Sequence, residues 1–383
     1  MPKYKVGKYR KIDAYIRQRL GPRDIQPLST SGSIDEELWT ILEYYSEVES
    51  VGMGLLKRNG ITNGLVRKRA FKHFQAYIRQ AKTYYNSAKI LPSRSSGLLY
   101  YYCFLNLAKA ALMLKNPSLG GKSINHGLTY KIHNFPLEKQ LVHLKQNGVF
   151  EKFYEWYFGE KIKLTSFNIK SLLSYCSDIA YQSQIAGARN VKVIPAYFAS
   201  AVDKTKNTGW GLVGFYDLTE AEKYRKSIQP FFDLFEKIDV PEVTLREIFK
   251  ISAFEKALLS FFQSKQENPW LGSDVPNILH TRSEAMNSLN KVFQVNYFKE
   301  DFDFKLSLPY SVNKQGPMDE LIAIYIIMYY LSNLVRYNPA FLENLLQKQE
   351  FWLIESFVKY CPLTFIRMIT SRITGIDYIL EPR

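Results

Sequence analysis

The stretch Ser93 to Lys115, SRSSGLLYYYCFLNLAKAALMLK, constrains the fold more than any other. From Leu98 to Leu114 only Asn106 and Lys109 interrupt a run of apolar or small side chains. Pro92 stands before it and Asn116-Pro117 after it, which marks a helix start and stop. Such a run is too long for a strand, and apolar residues on every side predict a helix buried all round. At about seventeen residues it is short for a bilayer, where Asn106 and Lys109 would also be costly. It therefore predicts the central helix of a soluble helical core. A second buried helix is expected from Leu321 to Arg336, opened by Pro317-Met318-Asp319-Glu320. Its eleven consecutive apolar residues, Leu321 to Leu331, are again too few to span a bilayer. Asn338-Pro339 then supplies the N-cap and first position of a further helix.

The rest of the chain is arranged around these two helices. Residues 1–32 form a basic arm, with eight Lys or Arg among the first 25 residues and Tyr4, Tyr9 and Tyr15 interleaved. Such an arm either lies on phosphates or is a lead-in that packs only its tyrosines. Ser33-Ile34-Asp35-Glu36 predicts a capping box, and Leu38, Ile41, Leu42, Tyr45, Val48, Val51 and Leu55 a helix with one apolar stripe. A helix from Leu65 to Ile90 is expected to bury Phe71, Phe74, Ala81 and Tyr85. Leu137 to Gly159 predicts helix, a turn at Asn147-Gly148, and helix; Phe167 to Ile185 predicts one more. Asn190 to Phe198 and Gly209 to Tyr216 predict strands around a polar loop, with Pro195 making the first an edge or bulged strand. Helices are expected again at Glu220 to Glu236 and Leu245 to Lys265, and a strand or two near Val292 to Leu308. The expected organisation is mainly α: a basic arm at 1–32, a helical bundle at 33–186, a small β insertion at 187–217, and a helical region at 218–383 packed on the first.

The 383 residues carry 51 Lys or Arg against 36 Asp or Glu, a net charge of +15. That balance favours a polyanionic partner. The 27 Tyr and 25 Phe are explained by helix–helix packing, with base stacking as the sharper alternative. Cys103, Cys176 and Cys361 are far apart and form no metal or redox motif, which fits free core thiols in a reducing cytoplasm. The opening MPKYKVGKYRK has no apolar signal region, so a cytoplasmic chain without membrane contact is expected.

Several chemistries lack their motifs. Gly120-Gly121-Lys122-Ser123 is no phosphate loop, because position 116 is Asn and no strand precedes it. Gly209 to Gly214 sits in a strand pattern without the dinucleotide-binding context. No GxSxG occurs, and His73, His126, His133, His143 and His280 show neither HxxxH nor HExxH spacing. No cofactor and no metal are expected.

What remains is cationic. Arg67, Lys68, Arg69, Lys72 and His73 crowd the start of a helix, against the macrodipole, and form a candidate phosphate-contacting patch or else a solvated face. Lys109 and Arg336 each interrupt or end an apolar helix, where a cation must be paired or shifted in pKa. The competing roles are a snorkelling Lys109 and an Arg336 bonded to its helix's last carbonyls. With Tyr102, Asn106 and His126 pointing into one cleft they would make a pocket for phosphate or carboxylate. His126, in the loop Asn125-His126-Gly127, has helix capping as its alternative role.

An ordered set of weak motifs resembles the YaaC-like family of bacterial proteins. It comprises the Trp39 helix, Phe74-x-x-Tyr77-x-x-x-Ala81-x-x-Tyr84-Tyr85-x-x-Ala88, and Leu98-Leu99-Tyr100-Tyr101-Tyr102 continuing to Leu107-Ala108-Lys109-Ala110. His126-Gly127, Asn147-Gly148-Val149-Phe150 and Leu331-Ser332-x-Leu334-x-Arg336-Tyr337-x-Pro339 follow. A remoter likeness joins Ser93-Arg94, Ala108 to Leu112 and His126-Gly127 to the second helix of HEPN domains. That resemblance implies an HEPN-like helical bundle at 33–186, modules that pair as homodimers, and a setting in stress, antiphage or RNA-processing systems. It also implies catalytic candidates of the Arg-x4–6-His kind, found here as Arg67-x5-His73 ahead of the resembling helix, or assembled from Arg94 and His126. The expected function is a non-catalytic protein binding RNA, in preference to DNA, or another phosphate-rich ligand. The alternatives are a metal-independent ribonuclease, and a scaffold or regulatory subunit with a protein partner.

Overall fold

The computed structural model describes residues 7–17, 24–28, 33–131, 136–185, 193–215, 229–244, 260–269, 294–297, 304–307, 318–347 and 350–380. The chain is mainly helical with antiparallel sheets and divides into two units. One, residues 26–191 and 314–381, is helical; the other, residues 1–25 and 192–313, carries an eight-stranded sheet.

The helical unit begins with α1 (Ile34–Glu47), α2 (Glu49–Arg58), α3 (Gly64–Lys89) and α4 (Ser93–Met113). The one helix expected over 33–58 is two, parted at Val48 by extended backbone (φ −86°, ψ 98°). The bend sets Gly52 against the Tyr45 carbonyl and the Phe71 ring, where a Cβ would lie 2.4 and 2.3 Å away. Leu55 and Leu56 thereby reach the core. The capping box does not form either: Ser33 Oγ donates to the Asp35 carboxylate, which Lys89 Nζ holds at 2.6 Å. Asn63 does cap α3, accepting from Leu65 N at 3.0 Å and Val66 N at 3.1 Å.

Helix α4 is buried on nearly every side, as its composition demands. It packs on α3, on α5 (Val149–Phe158), on α6 (Glu320–Tyr337) and on α8 (Glu350–Thr374), which follows the short α7 (Pro339–Leu345). Ala108, Ala110 and Ala111 let these neighbours approach, while Phe104 stacks on Phe365 with centroids 3.8 Å apart. Tyr101 meets Tyr325 and Tyr329 of α6 edge-on at 5.9 and 5.3 Å. Every residue of α6 from Leu321 to Leu334 is buried. The C-terminal helices thus share one core with the N-terminal ones.

Two expected helices give way to other structure. Leu141–Leu144 is the middle strand of an antiparallel sheet with Leu128–Tyr130 and Ser166–Asn168. Leu137–Lys139 makes only a single short turn, and Val142 beyond it pairs across with Phe167 instead. The helix expected over Phe167 to Ile185 is broken into Ile169–Leu173, the turn Ser177–Ile179 and Ala180–Ile185. The reason lies at the break, where Ser177 N donates to the Glu320 carboxylate at 2.5 Å instead of to a helix carbonyl. Asp24–Leu28 pairs with Ile376–Leu380.

In the sheet unit the expected hairpin forms, Val193–Asp203 against Thr208–Phe215, with Ala199 opposite Leu212. It is the centre of a larger sheet in the order Gln294–Tyr297, Phe304–Ser307, Val193–Asp203, Thr208–Phe215, Ser260–Ser264, Phe235–Ile238. Ala14–Arg17, from the expected basic arm, pairs with Val193–Asp203. In that arm Tyr9 Oη bonds Thr244 Oγ1 at 3.0 Å, and Arg10 Nε bonds Glu267 at 2.8 Å with its guanidinium 5.5 Å from the Trp210 ring. Phe235–Ile238 and Ser260–Ser264 are strands where helix is expected, because Phe235, Ile238, Phe261 and Phe262 alternate or cluster to fill this sheet's core. Gln229–Leu234 is helical, as expected. The rest of those two expected helices, 220–228 and 245–259, and His133 and His280 lie outside the described residues. Among the described residues no helix is long and apolar enough to cross a membrane.

Phe104→Ala empties the centre of the α4–α8 contact and should cost about 3–5 kcal/mol of stability, read by denaturant unfolding.

Candidate functional site

Tyr102, Asn106 and Lys109 fall at positions i, i+4 and i+7 of α4 and so share one face. Tyr84 of α3 stacks on Tyr102 with centroids 5.4 Å apart. Arg336, in the last turn of α6, places Nη1 3.5 Å from Tyr102 Oη and its guanidinium 6.0 Å from that ring. Tyr337 lies 5.0 Å from the same guanidinium. Arg336 Nε donates to the Ser332 carbonyl at 3.2 Å, the helix-end role expected of it. That bond uses one of five N–H groups. No carboxylate pairs with Arg336 among the described residues.

His126 is brought to Arg336 by its backbone. The Asn125 carbonyl accepts from Val149 N at 2.8 Å and the His126 carbonyl from Phe150 N at 3.1 Å, so this loop caps α5. Gly127 makes the cap possible, with φ +87° and a position where a Cβ would sit 2.8 Å from Phe150 N. Capping by the main chain leaves the imidazole to the site, 5.2 Å from the Tyr329 ring. Its Nδ1 is buried without a hydrogen-bond partner, and the nearby Leu128 carbonyl already accepts from Tyr329 Oη at 3.1 Å. Burial first, then the positive charges of Arg336 and Lys145, holds the His126 pKa below the ordinary imidazole value, against a smaller opposing effect of the Leu128 backbone. These effects favour the neutral ring.

Lys109 is half-buried with Nζ 5.7 Å from the Tyr77 ring, in a small recess it shares with Lys122, Ile124 and Val149. Burial lowers its pKa, and no ion pair joins it among the described residues. Asn106 is buried and its amide donates to the Tyr102 carbonyl at 2.8 Å, so its N–H serves α4 itself.

The remaining candidates lie elsewhere. Arg67 Nη1 donates to the Ile61 and Thr62 carbonyls at 3.2 and 3.3 Å, tying down the loop before α3. His73 points instead at Gly120 and Gly121, where a Cβ at Gly120 would come within 2.4 Å of its ring. Among the described residues no hydrogen bond or ring contact joins Arg67 to His73, and six residues along a helix set them on different faces. Arg94 is exposed in the first turn of α4 and paired with Glu343 at 3.4 Å, apart from His126. Lys68, Arg69 and Lys72 are exposed on α3.

Sequence reasoning misses Lys145 and Tyr329, because the first follows a segment read as helix and the second is one ring in an unbroken apolar run. It also misses the buried carboxylates at the start of α6. Asp319 caps the helix through Ile322 N at 2.9 Å, and burial pushes its pKa up to about 6. Glu320 is fully buried and accepts from Ser177 N and Oγ at 2.5 and 2.9 Å. Burial first, and Asp178 next, raises its pKa above the usual carboxylate range. Among the described residues no group of three or more His, Cys, Asp or Glu is placed to hold a metal ion.

The fold and these side chains define a helical protein built on two buried helices, with aromatic rings and, among the described residues, cations without an ion-pair partner at one edge of the core. A family model described as YaaC-like Protein matches residues 57–373, and the chain belongs to the YaaC-like family. No curated protein and no solved structure matches it.

Two titrations check this geometry. Arg336→Met should raise the His126 pKa toward its ordinary value, read by histidine NMR. Because the folded-state pKa of Glu320 is raised, its stabilising contribution is complete below the unfolded-state value and is lost as pH rises through the folded one. Glu320→Gln lacks that loss, so its melting temperature relative to wild type should increase from acid to alkaline pH.

Proposed function

We propose that the chain is a non-catalytic binding protein for RNA or another phosphate-rich ligand, held at Arg336, Tyr102, His126 and Lys109. The observation that carries this reading is the half-buried Arg336 guanidinium, which has rings on two sides and no carboxylate partner among the described residues. A cation taken partly out of water without a counter-charge is costly, and a phosphate would supply the missing charge. Lys109, Lys122 and Lys145 near the same face, and the +15 net charge, support an extended polyanion over a single small ion. Lys68, Arg69 and Lys72 are available for further phosphates. The HEPN-like character of the bundle, pairing as a homodimer, a cytoplasmic location and a place in a stress or antiphage system belong to the same proposal, supported by the likeness of α4 to an HEPN helix.

The second reading is a metal-independent ribonuclease. Its support is that a neutral His126 and Arg336 stand together, whereas the pairs suggested by spacing, Arg67 with His73 and Arg94 with His126, are apart. RNA left unchanged after long incubation with the protein sinks that reading.

Protein purified at moderate salt should carry RNase-sensitive absorbance at 260 nm, and labelled RNA should bind with an affinity that falls steeply with salt. Arg336→Ala should weaken binding by about ten- to a hundredfold, as losing about 1.5–3 kcal/mol of charge-assisted hydrogen bonding implies. Absence of binding at low salt overturns the proposal, and a stable co-purifying protein in its place points to a scaffold or regulatory subunit.

A further inference from the structure

A second cleft, of about 600 Å³, opens where the end of α3, the start of α4 and α8 meet. Its size is that of pockets that hold small organic ligands. Ser93, Ser96 and Tyr100 line it from a different face of α4 than the one carrying Tyr102. Nothing in the phosphate-binding proposal uses it.

Three properties of the lining narrow what fits. First, it is neutral: Asp35 is paired with Lys89 at 2.6 Å, and the other two charges, Glu355 and Lys359, are of opposite sign. A bare phosphate or a bare cation gains little there, in contrast to the cationic edge at Arg336. Second, its rim presents rings. Trp352 and Tyr360, both on α8, are 44% and 43% exposed, and Lys359 Nζ lies 5.3 Å from the Tyr360 ring. Exposed rings facing a cleft are stacking platforms for a planar π system. Third, it offers hydrogen bonds that the chain does not complete. The Ser96 hydroxyl is on the floor, in a residue only 2% exposed, and has no partner. Buried polar groups in native folds are almost always satisfied, so this one calls for a group from outside the chain. Glu355 accepts from Ser93 Oγ at 2.7 Å through Oε1, and a carboxylate has acceptor capacity beyond one bond.

A ligand that is planar, uncharged over the ring, and rich in hydroxyl and amine donors meets all three conditions. We propose that this cleft binds a nucleobase with its ribose, the base stacked at Trp352 with Tyr360 as a second ring at the rim, the ribose hydroxyls donating to Glu355, and the Ser96 hydroxyl completed at the floor. The base and ribose come either from a free nucleoside or from an unpaired residue of single-stranded RNA. A hexose also packs on aromatic rings and carboxylates, but it has no π face to stack.

The test is isothermal titration of the full chain with adenosine, guanosine, cytidine and uridine, and separately with a short single-stranded RNA, with glucose and inorganic phosphate as controls. At least one nucleoside or the RNA should bind, and Trp352→Ala should weaken that binding about tenfold, the loss expected for one base–aromatic stack. Both Trp352 and Tyr360 are exposed, so Tyr360→Ala is a second variant should the first fail to fold. Ser96→Ala should weaken binding without lowering the melting temperature, which a purely structural hydroxyl would not do. Binding of free nucleosides identifies the source as a small molecule, and binding of RNA alone identifies it as a strand. Either supports the site, provided that it depends on Trp352 and persists in Arg336→Ala. No binding up to roughly millimolar concentration, where a weak complex retains about −4 kcal/mol, overturns the proposal. Binding indifferent to Trp352→Ala and Tyr360→Ala, or binding of glucose instead, overturns it as well.

Discussion

The contact between α4 and α6 is the one on which the helical unit depends. Each helix is apolar on every side, so neither has a solvent face to offer, and each must be enclosed by other helices. Helix α3, backed by α1 and α2, covers one side of α4, while α5 and α8 pack on others. Enclosure explains why residues more than two hundred positions apart share one core, and why the unit is assembled from both ends of the chain. It also confines polar chemistry to the places where the enclosure ends: the Tyr102 to Lys109 edge of α4, the last turn of α6, and the opening of α4 near Ser93.

Those edges carry different electrostatics for a physical reason. At the end of α6 the last carbonyls attract a cation, and Arg336 is held there by the Ser332 carbonyl. At the beginning of the same helix the dipole favours anions, and Asp319 and Glu320 occupy it. The fully buried Glu320 is tolerated because Ser177 donates both its N–H and its hydroxyl, and this exchange interrupts the segment 169–185 as a helix. A single carboxylate thus shapes a distant loop while contributing nothing to the cationic recess.

What was legible in the sequence follows from how each signal is encoded. The α3, α4 and α6 helices announce themselves by composition and by flanking Asn, Pro or Asp residues, and their bounds come out close to expectation. Tyr102, Arg336 and His126 were legible as a group because polar residues on apolar helices are few. Short segments such as Leu141–Leu144 and Ser260–Ser264 were not, since a handful of apolar residues suits a strand or a helix equally and partners far along the chain decide. Asn106 was legible as polar but not as self-bonded to the Tyr102 carbonyl. The ring cluster at Trp352 and Tyr360 was hidden because an amphipathic helix gives no sign of which exposed rings face a cleft. Spacing alone misled at Arg67 and His73, which six intervening steps of helix carry to separate surroundings.

Gly127 lies so close to Gly148 that a Cβ at 148 would come within 2.0 Å of the Gly127 Cα, and this backbone contact separates two requirements that usually compete at one position. Because main-chain carbonyls at Asn125 and His126 hold the start of α5, the architecture makes no demand on the imidazole itself. Exchange of the side chain at 126 therefore leaves the hold on α5 in place, whereas a Cβ at Gly127 or Gly148 would collide with the backbone there. Scaffold and chemistry are thus separable at this position: one substitution changes the second and leaves the first intact.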